Sequence, residues 1–284
     1  MPELTPKRVL ILGGAGMLAS AWQRVLTARG IEHDLWARSD FDLTNPEHGK
    51  KITADWDLVV NCAAYTKVDL AEQEVSAAMQ ANGTAVGELA QRVRTLGSRL
   101  VHYSTDYVFD GRATSPYPVD APIAPQSVYG RSKALGEQLV RDSGAASLIL
   151  RTSWLYAPWG ANFVRTIAGL LRTKPELKVV HDQRGRPSSC VQLAERSLGL
   201  VERGLNGTYH VTDAGECTWY EFAVAIRDTL GLQTPVHPVT TSEFPRPAPR
   251  PAYSVLDTSK TDAALGPARE WRSELEQVLA QAKW

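Results

Sequence analysis

A chain of 284 residues with 31 basic and 31 acidic side chains can bury a large core, as one domain or as a domain with a smaller companion. Its zero formal charge leaves no electrostatic footprint for nucleic acid or an anionic membrane surface. Cys62, Cys190 and Cys217 are far apart, without a CxxC pair or zinc spacing around the six histidines, so neither a disulfide framework nor a zinc site organises the fold.

Residues 1–8 lack the apolar core of a signal peptide, and no later run approaches transmembrane length, so the expectation is a cytoplasmic protein with no membrane contact. Val9, Leu10, Ile11 and Leu12 form an aliphatic run ending at Gly13-Gly14, after which Leu18, Trp22, Val25 and Leu26 recur at helical spacing. This predicts strand, tight turn and helix. Further strands are predicted at 33–37, 58–61 and 100–104, with a long helical pattern between the last two, then a helix opening after Ser127 and a strand at 147–152. Aliphatic strands alternating with helices imply a parallel sheet covered on both faces. Beyond residue 155 the texture changes, with helices expected at 163–172 and 191–203 and short strands at 178–181 and 207–211. The stretch 235–251 holds six prolines and no clear period, which reads as an extended connector over a site. The expected fold is α/β, a doubly wound, Rossmann-like parallel sheet in residues 1–155 with a second, smaller α/β substrate domain in 156–284, segments of which return to the first.

Gly13-Gly14-Ala15-Gly16-Met17-Leu18-Ala19 matches GxxGxxA directly after a strand and at the start of a helix. Glycines there allow close backbone approach to a pyrophosphate, and the helix N-terminus offers unpaired amides. After the second strand Arg38 stands where a ribose 2′-phosphate is read, which favours NADPH, while Asp42 and Leu43 could contact the adenine end. Asn45 before Pro46 is equally an ordinary helix start. Asn61-Cys62-Ala63-Ala64-Tyr65-Thr66 supplies small side chains after the third strand, and Ser104-Thr105-Asp106 puts hydroxyls and a carboxylate at the end of the fourth, where open parallel sheets bind ligands. Tyr129 and Lys133 lie four apart on one helix face. A neighbouring ammonium favours the phenolate, so the pair can move a proton near neutral pH.

With these motifs in order, the chain resembles the extended short-chain dehydrogenase/reductase family over nearly all its length. Within it, Asn61-Cys62-Ala63-Ala64-Tyr65-Thr66-Lys67-Val68-Asp69, Ser104-Thr105-Asp106-Tyr107-Val108-Phe109-Asp110-Gly111, Arg151-Thr152-Ser153-Trp154-Leu155-Tyr156 and Leu256-Asp257-Thr258-Ser259-Lys260 are similar to the dTDP-4-dehydrorhamnose reductases. The resemblance implies hydride transfer from NADPH or NADH to the C4 ketone of dTDP-6-deoxy-L-lyxo-4-hexulose. Thr105 would bond the reacting oxygen, Tyr129 would deliver its proton, and Lys133 would hold the nicotinamide ribose while keeping the tyrosine acidic. Gly13, Gly16, Met17, Leu18, Arg38, Asp42, Leu43, Ala63, Ala64 and Tyr65 fall at cofactor positions, beside Tyr129 and Lys133. Thr105, Asp106 and Trp154 fall at substrate positions, Trp154 as a flat wall or as an indole packed between domains.

Arg184, Arg186, Arg246 and Arg250 are candidate partners for the substrate's pyrophosphate. Cys62 replaces an alanine expected of the family, and no local cation or second cysteine makes it a redox centre. Some relatives bind Mg²⁺ at a dimer contact, but no carboxylate cluster is assignable to it here, and a homodimer stays open. Two other readings share these motifs: an NAD-retaining nucleotide-sugar epimerase, with dehydration disfavoured because no Glu follows Thr105-Asp106, and the non-catalytic regulatory subunit of methionine adenosyltransferase. The short end Gln281-Ala282-Lys283-Trp284 offers little as an interaction tail.

Overall fold

The computed structural model describes residues 5–282; Met1 to Leu4, Lys283 and Trp284, on which the leader and tail readings partly fall, lie outside the described residues. In chain order the first half runs β1 (Arg8–Leu12), α1 (Met17–Ala28), β2 (Glu32–Trp36), β3 (Leu58–Asn61), α2 (Val68–Ala71), α3 (Val75–Met79), α4 (Ala85–Leu96), β4 (Arg99–Thr105), α5 (Val128–Ser143) and β5 (Ser147–Thr152). The second half runs β6 (Leu155–Tyr156), α6 (Phe163–Thr173), β7 (Leu177–Val180), β8 (Arg184–Gly185), β9 (Ser188–Ser189), α7 (Cys190–Glu202), β10 (Gly207–His210), β11 (Cys217–Thr218), α8 (Trp219–Thr229), β12 (Val236–Val239), α9 (Ser259–Leu265) and α10 (Trp271–Gln281).

The main sheet has six parallel strands in the order β10-β5-β4-β3-β1-β2. From β1 the chain first steps one way to β2 and then, through β3, the other way, so the crevice at the carboxyl ends of β1 and β3 is the topological switch point. The aliphatic strands are buried on both faces, as all four residues of β3 show. On one face Trp22, Leu26 and Ala19 of α1 pack with Leu193, Leu198 and Val201 of α7; on the other, Phe41, Ile52 and Trp56 pack with Val86, Leu89 and Val93 of α4. Residues 190–210 therefore return to complete the first core. A separate cluster around Tyr156, Phe222, Trp271 and Leu275 holds α6, α8 and α10 together beside the parallel pair β7/β12.

Two stretches differ from their sequence patterns. The long helical pattern before β4 is divided into α2, α3 and α4, with a π-turn at Gln80–Thr84 between the last two. The proline-rich connector contains a strand, β12, despite Pro238; an imino acid is tolerated because the β7/β12 sheet has only edges, where a ladder donor can be missing.

Candidate active site

Gly13 closes the turn after β1 with φ +89°, and a Cβ there would stand 2.7 Å from the Ala63 nitrogen and 2.9 Å from the Cys62 carbonyl carbon. Only glycine lets the loops after β1 and β3 touch across the switch point. Asn61 fixes the second loop by accepting from the Ala63 amide at 3.1 Å, and its amide group lies 3.2 Å from His102 Nδ1. α1 begins at Gly16 without a side-chain cap and with no acidic residue in its first turn, so its amides and positive dipole end face the space beyond.

That space is a cavity of about 550 Å³. Gly16, Met17 and Leu18 line it from the start of α1, Ala64, Thr66 and Val68 from the loop after β3, and Thr105, Asp106, Tyr129 and Lys133 form its floor, with Trp154 and Trp219 also lining it. A groove offering free amides at one end and small side chains along its side fits a dinucleotide pyrophosphate and a flat ring.

The floor is built by docking α5 on the end of β4. Ser127 caps α5 by accepting from the Gly130 amide at 3.1 Å. Gly130 lies so close to the Tyr107 carbonyl that a Cβ would meet its oxygen at 2.3 Å. Asn82, aimed inward from the π-turn, accepts from the Tyr65 amide at 2.8 Å and donates to the Tyr65 carbonyl and the Ser132 hydroxyl, each at 3.0 Å. It clamps the loop after β3 to the turn of α5 between Tyr129 and Lys133.

Thr105 donates from Oγ1 to Asp106 Oδ1 at 2.8 Å, and the Tyr107 and Tyr129 rings meet in a T-shaped contact with centroids 5.6 Å apart. Burial pushes the Tyr129 phenol up to about 12, the charge of Asp106 adds to this, and a hydrogen bond with Thr105 draws it part of the way back. Lys133 is buried and donates from Nζ to the Tyr103 carbonyl at 2.5 Å. Burial brings its ammonium down to about 8 against the opposing charge of Glu137. The expectation that Lys133 lowers the Tyr129 pKa is corrected for this geometry: burial and the Asp106 carboxylate raise the phenol, and the ammonium is turned to the strand carbonyl. Asp106 is buried and raised to about 6 by desolvation; Ser254 draws it part of the way back, yet Oδ2 makes no hydrogen bond of ordinary geometry.

Trp154 alone among the described non-glycine residues has positive φ, 49°. A bulky side chain in that region is strained and is held there by its surroundings. Its indole stacks on Trp219, centroids 3.5 Å apart and planes 11° from parallel. Trp154 is thus an aromatic wall and also packs on the second cluster.

Other sequence candidates fall elsewhere. Gly13, Ala63 and Tyr65 shape the loops behind the wall, Tyr65 directing its hydroxyl to Glu74. Arg38 is exposed and ion-paired with Asp42 at 3.2 Å, Asp42 also accepting from the Thr44 amide and hydroxyl, and Leu43 packs at the rim of the core. Asn45 does cap the turn at Pro46–Lys51. Arg184 faces Glu216 and Glu221, Arg186 donates to Thr258, and Arg246 and Arg250 converge on Asp69 at 3.8 and 2.9 Å. Burial pushes the Cys62 thiol up, away from redox reactivity. Asn82, Trp219 and the fully buried Glu137 were not found from sequence. An asparagine inside an apolar helical pattern was the available signal for Asn82, and the four-residue spacing from Lys133 the one for Glu137; Trp219 gave none.

The sequence profile of the RmlD substrate binding domain matches residues 7–284. The chain is 41% identical to a probable dTDP-4,6-dihydroxy-2-methyloxan-3-one 4-ketoreductase of Streptomyces antibioticus, over 96% of this chain and 94% of that one. It is 38% identical to a dTDP-4-dehydrorhamnose reductase of Burkholderia thailandensis, over 93% and 95%. The crystal structure of a dTDP-4-dehydrorhamnose reductase from Bacillus anthracis, in complex with NADP, superposes with a TM-score of 0.94 and 34% identity over 99% of this chain and all of that one.

Proposed function

The chain belongs to the RmlD substrate binding domain family, and from that premise we propose that it reduces the C4 ketone of dTDP-6-deoxy-L-lyxo-4-hexulose to dTDP-L-rhamnose, with Tyr129 as proton donor. The observation that carries the reading is the convergence of Thr105, Tyr129 and Lys133 on one cavity floor, between the uncapped start of α1 and the Trp154/Trp219 wall. Relatives named for ketone reduction of dTDP-sugars, and a neighbour crystallised with NADP, support it. Residues 1–155 carry most of the cofactor groove, and residues 156–284 supply the aromatic wall through Trp219.

NADPH supplies hydride when bound. Gly16, Met17 and Leu18 would hold its pyrophosphate against the first turn of α1 and Ala64 would line the far side, with Gly13, Ala63 and Tyr65 shaping the loops behind them, and the exposed Arg38 would read the 2′-phosphate with Asp42 and Leu43 beside it. Thr105 Oγ1, on turning its proton from Asp106 Oδ1, would donate to the C4 oxygen as negative charge develops there. Tyr129 would give that oxygen its proton, and Lys133, once turned from the Tyr103 carbonyl, would bond the nicotinamide ribose. A phenol with pKa about 12 remains a full acid at neutral pH, which suits reduction better than the reverse reaction. Trp154 and Asp106 orient the sugar. No step is assigned to Mg²⁺.

Tyr129→Phe tests the assignment. The variant should lose at least about a hundredfold in kcat, the usual weight of a general acid, while NADPH binding measured by fluorescence stays parental. Parental turnover by the variant contradicts it.

A further inference from the structure

Tyr129, Lys133, Glu137 and Arg141 follow one another at four-residue intervals along α5 and so lie on one ridge of the helix. Glu137 is fully buried with every lone-pair direction engaged. Its Oε1 accepts from Ser104 Oγ at 2.6 Å and Arg151 Nε at 2.8 Å, and its Oε2 from Arg151 Nη2 at 2.8 Å and Arg141 Nη1 at 3.1 Å. Arg151, buried on β5, also donates to the Val119 carbonyl at 2.8 Å and lies 5.0 Å from the centre of the Phe109 ring. Buried ion pairs are commonly no better for stability than apolar residues of the same volume, so a carboxylate held at this depth calls for another role. The residues it touches suggest one: Ser104 precedes Thr105 on β4, and Lys133 stands one helical turn away.

We propose that Glu137 is a positioning residue for the active site, its buried negative charge keeping the Lys133 ammonium protonated and its bond to Ser104 fixing the strand end that presents Thr105. The proposal rests on the reductase reading of Lys133 and Thr105. Lys133 Nζ bonds the Tyr103 carbonyl, so Glu137 acts on it through its field. Glu137 stands one turn along α5 from Lys133 and is paired with Arg141 and Arg151, Arg151 lies 3.4 Å from His210, His102 on β4 is near enough to feel the Lys133 charge, and Tyr129 and Asp106 line the same cavity. His102 is held neutral by burial and by Lys133 itself, and His210 by burial and Arg151. Near neutral pH the fixed charges are then two carboxylates and two guanidiniums. Removing Glu137's charge leaves Arg151 and Arg141 uncompensated and must lower the pKa of Lys133; removing Arg141's charge must raise it.

The opposite signs make the test. Glu137→Gln should move the alkaline limb of kcat/KM down by about one pH unit. Arg141→Gln should move it up by roughly 0.3 unit, because the arginine is half-exposed and screened. NADPH affinity against pH, read from nicotinamide fluorescence without any sugar, should shift in the same two directions, so the test stands apart from turnover. A merely structural role would lower the amount of folded protein at every pH and leave both limbs in place. Limbs that stay parental, or that shift in the same direction in both variants, overturn the proposal. If Glu137→Gln fails to fold, the presence or absence of the upward shift in Arg141→Gln decides it. Failure of the reductase reading looks different: the parental protein then leaves NADPH unoxidised in the presence of the keto-sugar.

Discussion

Asp106→Asn removes the one ionisable group that burial leaves with an unbonded oxygen on the cavity floor. The carboxyl is raised from 3.8 to about 6, chiefly by desolvation. Because its folded pKa lies above its unfolded one, its favourable contribution to stability is full below about pH 4 and is lost as pH rises through about 6. A rise of about two pH units corresponds to about 3 kcal/mol lost in total, at roughly 1.36 kcal/mol for each. About 1.6 kcal/mol of this is already gone at pH 5, which leaves about 1.4 kcal/mol to disappear between pH 5 and pH 8. The asparagine does not titrate, so the stability of Asp106→Asn relative to the parental protein should improve by about 1.4 kcal/mol over that interval, or about 3–5 °C in melting temperature for a chain of this size. Urea unfolding of both proteins at several pH values measures it, and titrations common to both cancel in the difference. A gap that is constant with pH, or that moves the other way, refutes the placement of a buried, under-bonded carboxylate beside Tyr129.

Gly13→Ala should cost at least about 1–2 kcal/mol of stability, since it combines a left-handed backbone with a Cβ 2.7 Å from the Ala63 nitrogen. The loops it forces apart frame the cofactor groove, so NADPH affinity should fall more than about tenfold; calorimetric binding at the parental level would count against the groove. Trp219→Ala removes the partner on which the strained Trp154 stacks. KM for the nucleotide sugar should rise about tenfold with NADPH affinity unchanged, and an equal loss of both would place Trp219 in the fold rather than at the substrate.

The sheet was legible because its strands are continuous aliphatic runs that need no long-range information: 58–61 and 147–152 coincide with β3 and β5. The floor was legible for the same local reason, Ser127 capping a helix on which Tyr129 and Lys133 must share a face. Interactions made across the fold left no such trace. Asn82 acts through a π-turn that a 3.6-residue period reads as plain helix. Trp219 reaches the cavity only because α8 starts there, and Glu137 meets Arg151 only after β5 lies beside β4. The direction in which the Tyr129 pKa moves is not legible, because spacing reports the nearby Lys133 but neither the burial nor the carboxylate of Asp106. Nor is it legible that, of the four candidate arginines for the pyrophosphate, Arg184, Arg246 and Arg250 each face a carboxylate in the fold.

The central claim is net reduction of a sugar ketone, and the stoichiometry of NADPH oxidation at 340 nm against dTDP-6-deoxy-L-lyxo-4-hexulose consumed tests it most directly. The account predicts one NADPH oxidised for each ketone lost, with dTDP-L-rhamnose as product. Sugar conversion without NADPH consumption, or no conversion at all, would contradict it.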